Sequence, residues 1–282
     1  MLASTWKPRI GATLVSTGLG LLPIAAGAQS PWLDRTPRLN GQLAIAKPVL
    51  ENQDETFFTT AWFLTGRWTV SENFALVGEL PLANFDATPQ TFAFPGGSYT
   101  YSPEGSTAIG NPYVGIETGA ASAPAVVFEL GLRLPLAPQD GSNALATGLL
   151  ADVDRWEAWL PSTLAARIGL HVHSDARKLL WVDGRLAPIV TLTTEGSYAE
   201  AFATYGFQVR TTQPSFRAGT GISGRLFVTG PELVTPFHQL ELNADFLQST
   251  VRPGVLLRIP LTADLTDDVS AVPGITLTYV GR

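Results

Sequence analysis

The sequence predicts an all-β fold: a transmembrane antiparallel up-and-down β-barrel of about twelve strands, with a short helix in one outer loop. Three observations predict it. Charged residues make up only 15% of the 282 residues, against 45% aliphatic and aromatic ones, whereas soluble domains average about 25% charged. Beyond the N-terminal segment, no run approaches the ~20 continuous apolar residues of a transmembrane helix. Finally, alternating segments of about ten residues recur between turn residues, the length a tilted membrane strand needs.

The chain opens with MLASTWKPRIGATLVSTGLGLLPIAAGAQS. Lys7 and Arg9 form a positive start, Ile10 to Ala25 an apolar stretch, and Ala26-Gly27-Ala28 a small-residue cleavage signal. Residues 1–28 are expected to be a signal peptide cut after Ala28 on the Sec route, leaving residues 29–282 as the barrel domain. An uncleaved anchor helix is the alternative. Cysteine is absent, which excludes a lipoprotein and disulfide staples. The formal charge is −6, and losing Lys7 and Arg9 makes it more negative. No basic run exists to neutralise phosphates, so nucleic acid is not an expected partner.

Twelve strands are expected near residues 39–47, 57–70, 74–84, 107–118, 125–136, 162–173, 179–193, 201–211, 215–228, 237–247, 252–262 and 270–280. Alternate connections are short: 71–73, 119–124, 174–178, 211–213 and 248–251. Those between them are mostly longer: 48–56, 85–106, 137–161, 194–200, 229–236 and 263–269. Outer-membrane barrels have short periplasmic turns, longer outer loops and an even strand number. Loop 85–106 is rich in Gly, Pro and aromatics and reads as irregular. In loop 137–161, Leu145, Leu149, Val153, Trp156 and Leu160 have helical spacing. They predict a short amphipathic helix on or in the barrel mouth, either packed on the rim or acting as a gate.

The stretch SFRAGTGISGRLFV, residues 215–228, shows the two faces. Phe216, Ala218, Ile222, Leu226 and Val228 lie on one side, Arg217 and Arg225 among small residues on the other. Elsewhere Leu130 and Leu132 oppose Glu129 and Arg133, Leu164 and Ile168 oppose Arg167 and His171, and Leu240 and Leu242 oppose Glu241 and Asp245. A lipid-facing Arg at the bilayer midplane costs roughly 2–4 kcal/mol. The arginines on the alternating face (Arg67, Arg133, Arg167, Arg185, Arg210, Arg217, Arg225 and Arg258) are therefore expected in a shared lumen. There they meet Glu79, Glu117, Glu129, Asp183, Glu241 and Asp245, with His171 beside them. In a narrow barrel such pairs plug the interior; in a wider one they form a charged constriction that selects solutes. Trp62, Trp68, Phe74, Tyr113, Trp181, Phe216, Phe237 and Tyr279, near segment ends, resemble interfacial girdles.

Little else carries chemistry. The histidines are His171, His173 and His238, too few without Cys for a zinc site of the usual ligand set. Ser162 or Ser174 with His173 and Asp175 is a conceivable hydrolase arrangement, but no nucleophile motif such as G-x-S-x-G accompanies it. Asp152 and Asp154 in ADVDRW lack the Gly and distal Glu of a calcium loop, and read as a solvated helix face. GTGISG at 219–224 sits inside a strand with no following helix and is no dinucleotide fingerprint. No catalytic residue, metal or cofactor is expected.

VGELPLANF (77–85), STAIGNPYVGIETG (106–119) and LGLRLPLAP (130–138) resemble the bacterial outer-membrane proteins grouped under the MetA pathway of phenol degradation, a transporter-like barrel family. Asn111 stands where that pattern more often has Asp. The last strand reads GITLTYVGR, with Tyr279 rather than a final aromatic residue. The resemblance implies a barrel that passes small, hydrophobic or aromatic compounds. The expectation is thus a Gram-negative outer-membrane channel or transporter, non-enzymatic, with lipid bilayer and small-molecule solute as partners. The alternatives are a plugged structural or adhesive barrel, and a membrane-embedded hydrolase.

Overall fold

A computed structural model describes residues 39–50, 58–94, 97–101, 104–119, 125–140, 143–174, 179–194, 198–229, 236–266 and 268–281. The expected signal peptide lies outside the described residues.

Twelve strands form the wall: β1 (Leu39–Ala46), β2 (Thr60–Ser71), β3 (Phe74–Phe85), β4 (Tyr113–Gly119), β5 (Ala125–Arg133), β6 (Thr163–His173), β7 (Leu180–Thr193), β8 (Ala199–Thr212), β9 (Phe216–Phe227), β10 (Phe237–Phe246), β11 (Val251–Pro260) and β12 (Val269–Gly281). Each pairs antiparallel with the next. Closure comes from β1 on β12, with Leu39 opposite Gly281 and Ala46 opposite Gly274. Closing the sheet leaves no unpaired edge, which a span in lipid requires. All twelve strands fall where the alternation placed them.

The expected strand 107–118 is broken. Ser106–Ile109 pairs with the upper part of β3 (Leu82 opposite Ile109), and β4 pairs with its lower part (Glu79 opposite Tyr113). Gly110, Asn111 and Pro112 thus face two β3 residues, a one-residue bulge that bends the strand. Pro112 cannot donate to the ladder. Loop 85–106 is also more regular than its composition suggests: Gln90–Phe94 pairs with Gly97–Tyr101 as a hairpin.

The outer face is apolar. Leu130, Ile168, Phe246 and Ile275 all point out, opposite the ionic residues of the same strands, the alternation a barrel in lipid has. Inside, small residues leave room at the long-loop end: Ala44, Ala46, Ala61, Ala83 and Ala108 line the wall. Residues from the loop between β5 and β6 fill that room. Helix α1 (Asn143–Ala151) runs into the barrel and a 3-10 turn, Val153–Ala158, follows. Leu145, Ala151 and Trp159 pack on those alanines, on Phe63 and on Val272.

Candidate functional site

The helix expected on or in the barrel mouth lies inside it, as a plug. No position of α1 is exposed: Ala144, Leu145, Thr147, Gly148 and Ala151 bury one face, and Asn143, Ala146, Leu149 and Leu150 on the other are half-buried. It stops at Asp152, whose side chain accepts from Asp154 N at 3.0 Å and caps the 3-10 turn. Asp152 and Asp154, expected to be solvated, are buried. The correction is electrostatic: both meet wall arginines. Asp152 Oδ2 lies 3.0 Å from Arg258 Nη2 and 3.3 Å from Arg155 Nη1. Asp154 pairs with Arg185.

Glu157 sits deepest in charge. Its Oε2 accepts from Arg225 Nη2 at 2.6 Å, while Oε1 lies 3.3 Å from Arg133 Nε and 3.5 Å from Arg167 Nη1. Burial pushes the Glu157 carboxyl up, but Arg225, Arg133 and Arg167 together outweigh it and hold it down to about 2. Asp152 is likewise below its ordinary range: burial raises it, and Arg258, Arg155 and Arg185 outweigh that. The plug's own Arg155 reaches Glu79 Oε2 at 3.0 Å, its guanidinium 4.3 Å from the Phe63 ring centre.

One residue fastens the segment's end to the wall. At the bulge, Asn111 is fully buried. Its Nδ2 donates to the carbonyls of Glu157 (3.0 Å) and Leu160 (2.7 Å), and its Oδ1 accepts from Ala137 N at 2.8 Å. Its backbone N–H donates to Ala158 O at 2.6 Å, and its carbonyl accepts from Arg133 Nη1 at 2.7 Å. Gly110 is required by close approach: a Cβ there would lie 2.5 Å from Ala158 O and 2.9 Å from the Trp159 ring.

The wall residues singled out from sequence are placed as follows. Arg67, Arg133, Arg167, Arg210, Arg217, Arg225 and Arg258 are buried on the inner face, as are Glu79, Glu117, Glu129, Asp183, Glu241 and His171. Arg185 is half-buried by residue but its side chain is enclosed. Asp245 is half-buried, opposite Arg217 in register. The structure gathers Glu79, Arg133, Arg167, Arg185, Arg225, Glu241 and Arg258 around the plug. The others form pairs nearer the short-turn end: Arg67 with Glu117 at 2.7 Å, and Arg210 with Asp183 at 3.7 Å. Glu129 takes the Tyr113 hydroxyl and lies 3.2 Å from His171 Nε2.

Three girdle aromatics are corrected. Tyr113, Trp181 and Phe237 point inward: Tyr113 donates to Glu129, Trp181 lies under Arg210 and Arg217, and Phe237 stacks on Trp156. Trp62, Trp68, Phe216 and Tyr279 do face outward. The hydrolase arrangement is not assembled either. His173 Nδ1 pairs with Asp183, Ser174 Oγ accepts from Val182 N, and Ser162 lies beyond the other end of β6; Asp175 lies outside the described residues.

Two groups, Glu117–Glu129–His171 and Asp152–Asp154–Glu241, have ligand atoms within 4.8 Å of one another. Their carboxylates already face Arg67, Tyr113, Arg185 or Arg258, which offsets the charge a cation would meet. A cavity of about 30 Å³ beneath the plug, lined by Gln42, Arg155, Glu241 and Asn243 among others, has room for one or two waters. It is no passage for a solute.

Fold and lumen together define a transmembrane β-barrel of outer-membrane type, filled by its own loop. An outer membrane channel from Pseudomonas putida F1 shares the fold at a TM-score of 0.59, with 9% identity, over 95% of this chain and 98% of that one. LpxR from Salmonella typhimurium follows at 0.47, 12% identical over 85% and 99%. The translocator domain of the autotransporter NalP from Neisseria meningitidis gives 0.45, 10% identical over 86% and 87%. At these identities the likeness is one of fold. No protein-family model matches the sequence, and no curated protein does.

Proposed function

We propose that this chain is an outer-membrane channel for small solutes, closed in the present conformation by residues 143–160 and exported by cleavage of residues 1–28. The observation that carries the reading is how the closure is made. The plug is helical and joins no strand ladder; ion pairs, aromatic packing and the Asn111 clamp hold it. A wall needed only for rigidity is served by apolar packing at lower desolvation cost. Here Arg133, Arg167, Arg185, Arg225, Arg258, Glu79 and Glu241 line the wall around it, and further pairs such as Arg67–Glu117 lie nearer the short-turn end. Such a lining sets solute selectivity once a path opens. The resemblance to the MetA-pathway barrels adds hydrophobic or aromatic compounds as candidate cargo. The reading assigns no catalysis: Ser174 Oγ accepts from Val182 N, and Ser162 lies beyond the other end of β6 from His173.

The test is planar-bilayer conductance of the full barrel and of a variant in which residues 143–158 are replaced by a short Gly-Ser bridge. The full barrel is expected to conduct weakly and intermittently, the variant at least tenfold more. A folded deletion variant that does not conduct overturns the channel. The second reading, a plugged structural or adhesive barrel, is favoured by the pairing of Glu157 with three guanidiniums, and it predicts that result.

A further inference from the structure

The wall behind Glu157 has the make-up of an anion site. Arg133, Arg167 and Arg225 come from β5, β6 and β9 and converge on one carboxylate, at 3.3, 3.5 and 2.6 Å. Arg133 has a second acid, Glu79, at 2.8 Å. Arg167 is served less well. Among the described residues, beyond its long approach to Glu157 it reaches only Thr204 Oγ1, at 3.4 Å, and its buried Nε has no hydrogen-bond partner. A buried N–H without an acceptor has lost its hydration for nothing in return, so this site is built for more acceptor than Glu157 supplies.

The neighbouring plug residue fills a second, apolar pocket. The Trp156 ring stacks on Phe237 at 4.9 Å and meets Phe227 edge-on at 5.8 Å. Arg225 joins the two pockets, its guanidinium 5.4 Å from the Trp156 ring centre. Adjacent loop residues thus offer the wall a flat apolar ring and a carboxylate, side by side.

We propose that Trp156 and Glu157 occupy, as an internal surrogate, a solute-binding site formed by Arg133, Arg167, Arg225, Phe227 and Phe237, whose external ligand is a small organic carboxylate with a flat apolar body. This rests on the channel reading for the solute's route, though not for its binding. Planar forks match a planar carboxylate through paired, charge-assisted hydrogen bonds. The aromatic pocket discriminates against ions that are hydrated all round, such as phosphate.

The experiment is calorimetric titration of the full detergent-solubilised barrel with benzoate, inorganic phosphate and benzyl alcohol. A vacated variant, Trp156→Ala with Glu157→Gln, is compared with the unaltered chain; folding is checked by heat-modifiable gel migration. Expected is benzoate binding at least tenfold tighter in the vacated variant, at least tenfold tighter than phosphate or benzyl alcohol, and abolished by adding Arg167→Ala. Should the vacated variant not fold, Glu157→Asp alone is titrated, with a smaller gain in the same order. Equal benzoate affinity with and without the surrogate, phosphate binding as tight as benzoate, or indifference to Arg167→Ala overturns the site. Benzoate binding without conductance in the loop deletion keeps the site and removes the channel; conductance without benzoate preference does the reverse.

Discussion

Asn111 shows how much one side chain decides. It faces two carbonyls with its amino group and one N–H with its oxygen, a set an aspartate cannot meet because it is acceptor-only when ionised. Asn111→Ala takes the side-chain partner from two buried backbone groups, Glu157 O and Ala137 N, and from the half-buried Leu160 O, a buried one costing about 1–3 kcal/mol when left unpaired. Trypsin cleavage after Arg155, buried in the plug, is expected to accelerate at least tenfold in the variant, read by mass spectrometry. Cleavage at the unaltered rate would mean that Asn111 does not hold the segment. The residue's role was invisible beforehand, because its partners lie 46 and 49 positions away. The inward aromatics were within reach. Tyr113 shares strand parity with Glu117, Trp181 with Asp183, and Phe237 with Glu241, all on the face already assigned to the lumen. Proximity to strand ends misled where alternation pointed correctly.

At the scale of the element, the plug is an acidic insert in a basic socket. Its docking depends on Glu157 staying ionised. With its carboxyl depressed to about 2 when docked and in the ordinary range, about 4.3, when withdrawn, docking is fully supported above that range. The support is lost as pH falls through it toward about 2. Conductance of the unaltered barrel is therefore expected to rise between pH 5 and about pH 2.5. Glu157→Gln is expected to conduct more at pH 7 and to show a smaller acid-induced rise; a flat profile in the unaltered chain counts against the socket. Hydrophobic spacing revealed that residues 145–160 contain helix, on or in the barrel mouth, but did not decide between the rim and the lumen. An element enclosed on all sides carries no directional stripe, and Asp152 and Asp154 look solvated until Arg258 and Arg185 are brought to them.

Across the whole molecule, the barrel was legible because lipid and lumen impose opposite demands on successive residues of every strand. Bulge 110–112 was not, since it depends on what the plug needs at that point. The same opposition makes outward positions intolerant of charge. Ile168, mid-strand in β6 and exposed on the outer face, is the test: Ile168→Arg is expected to cost roughly 2–4 kcal/mol in urea titrations of folding into phosphatidylcholine vesicles. Equal stability in both proteins would indicate that this face does not meet hydrocarbon.

The loop that enters the lumen is anchored at Arg133 and again at Thr163, on strands that pair with each other. Once dislodged, it cannot diffuse away. Its own carboxylate stays in the vicinity at an effective concentration in the millimolar range for a short flexible tether. A competing acid must approach that abundance before it holds the arginines for long. On the channel reading proposed above, the gap reseals below that threshold and a solute above it props open its own entrance; each contact the plug loses lowers the threshold steeply, a longer tether only slowly.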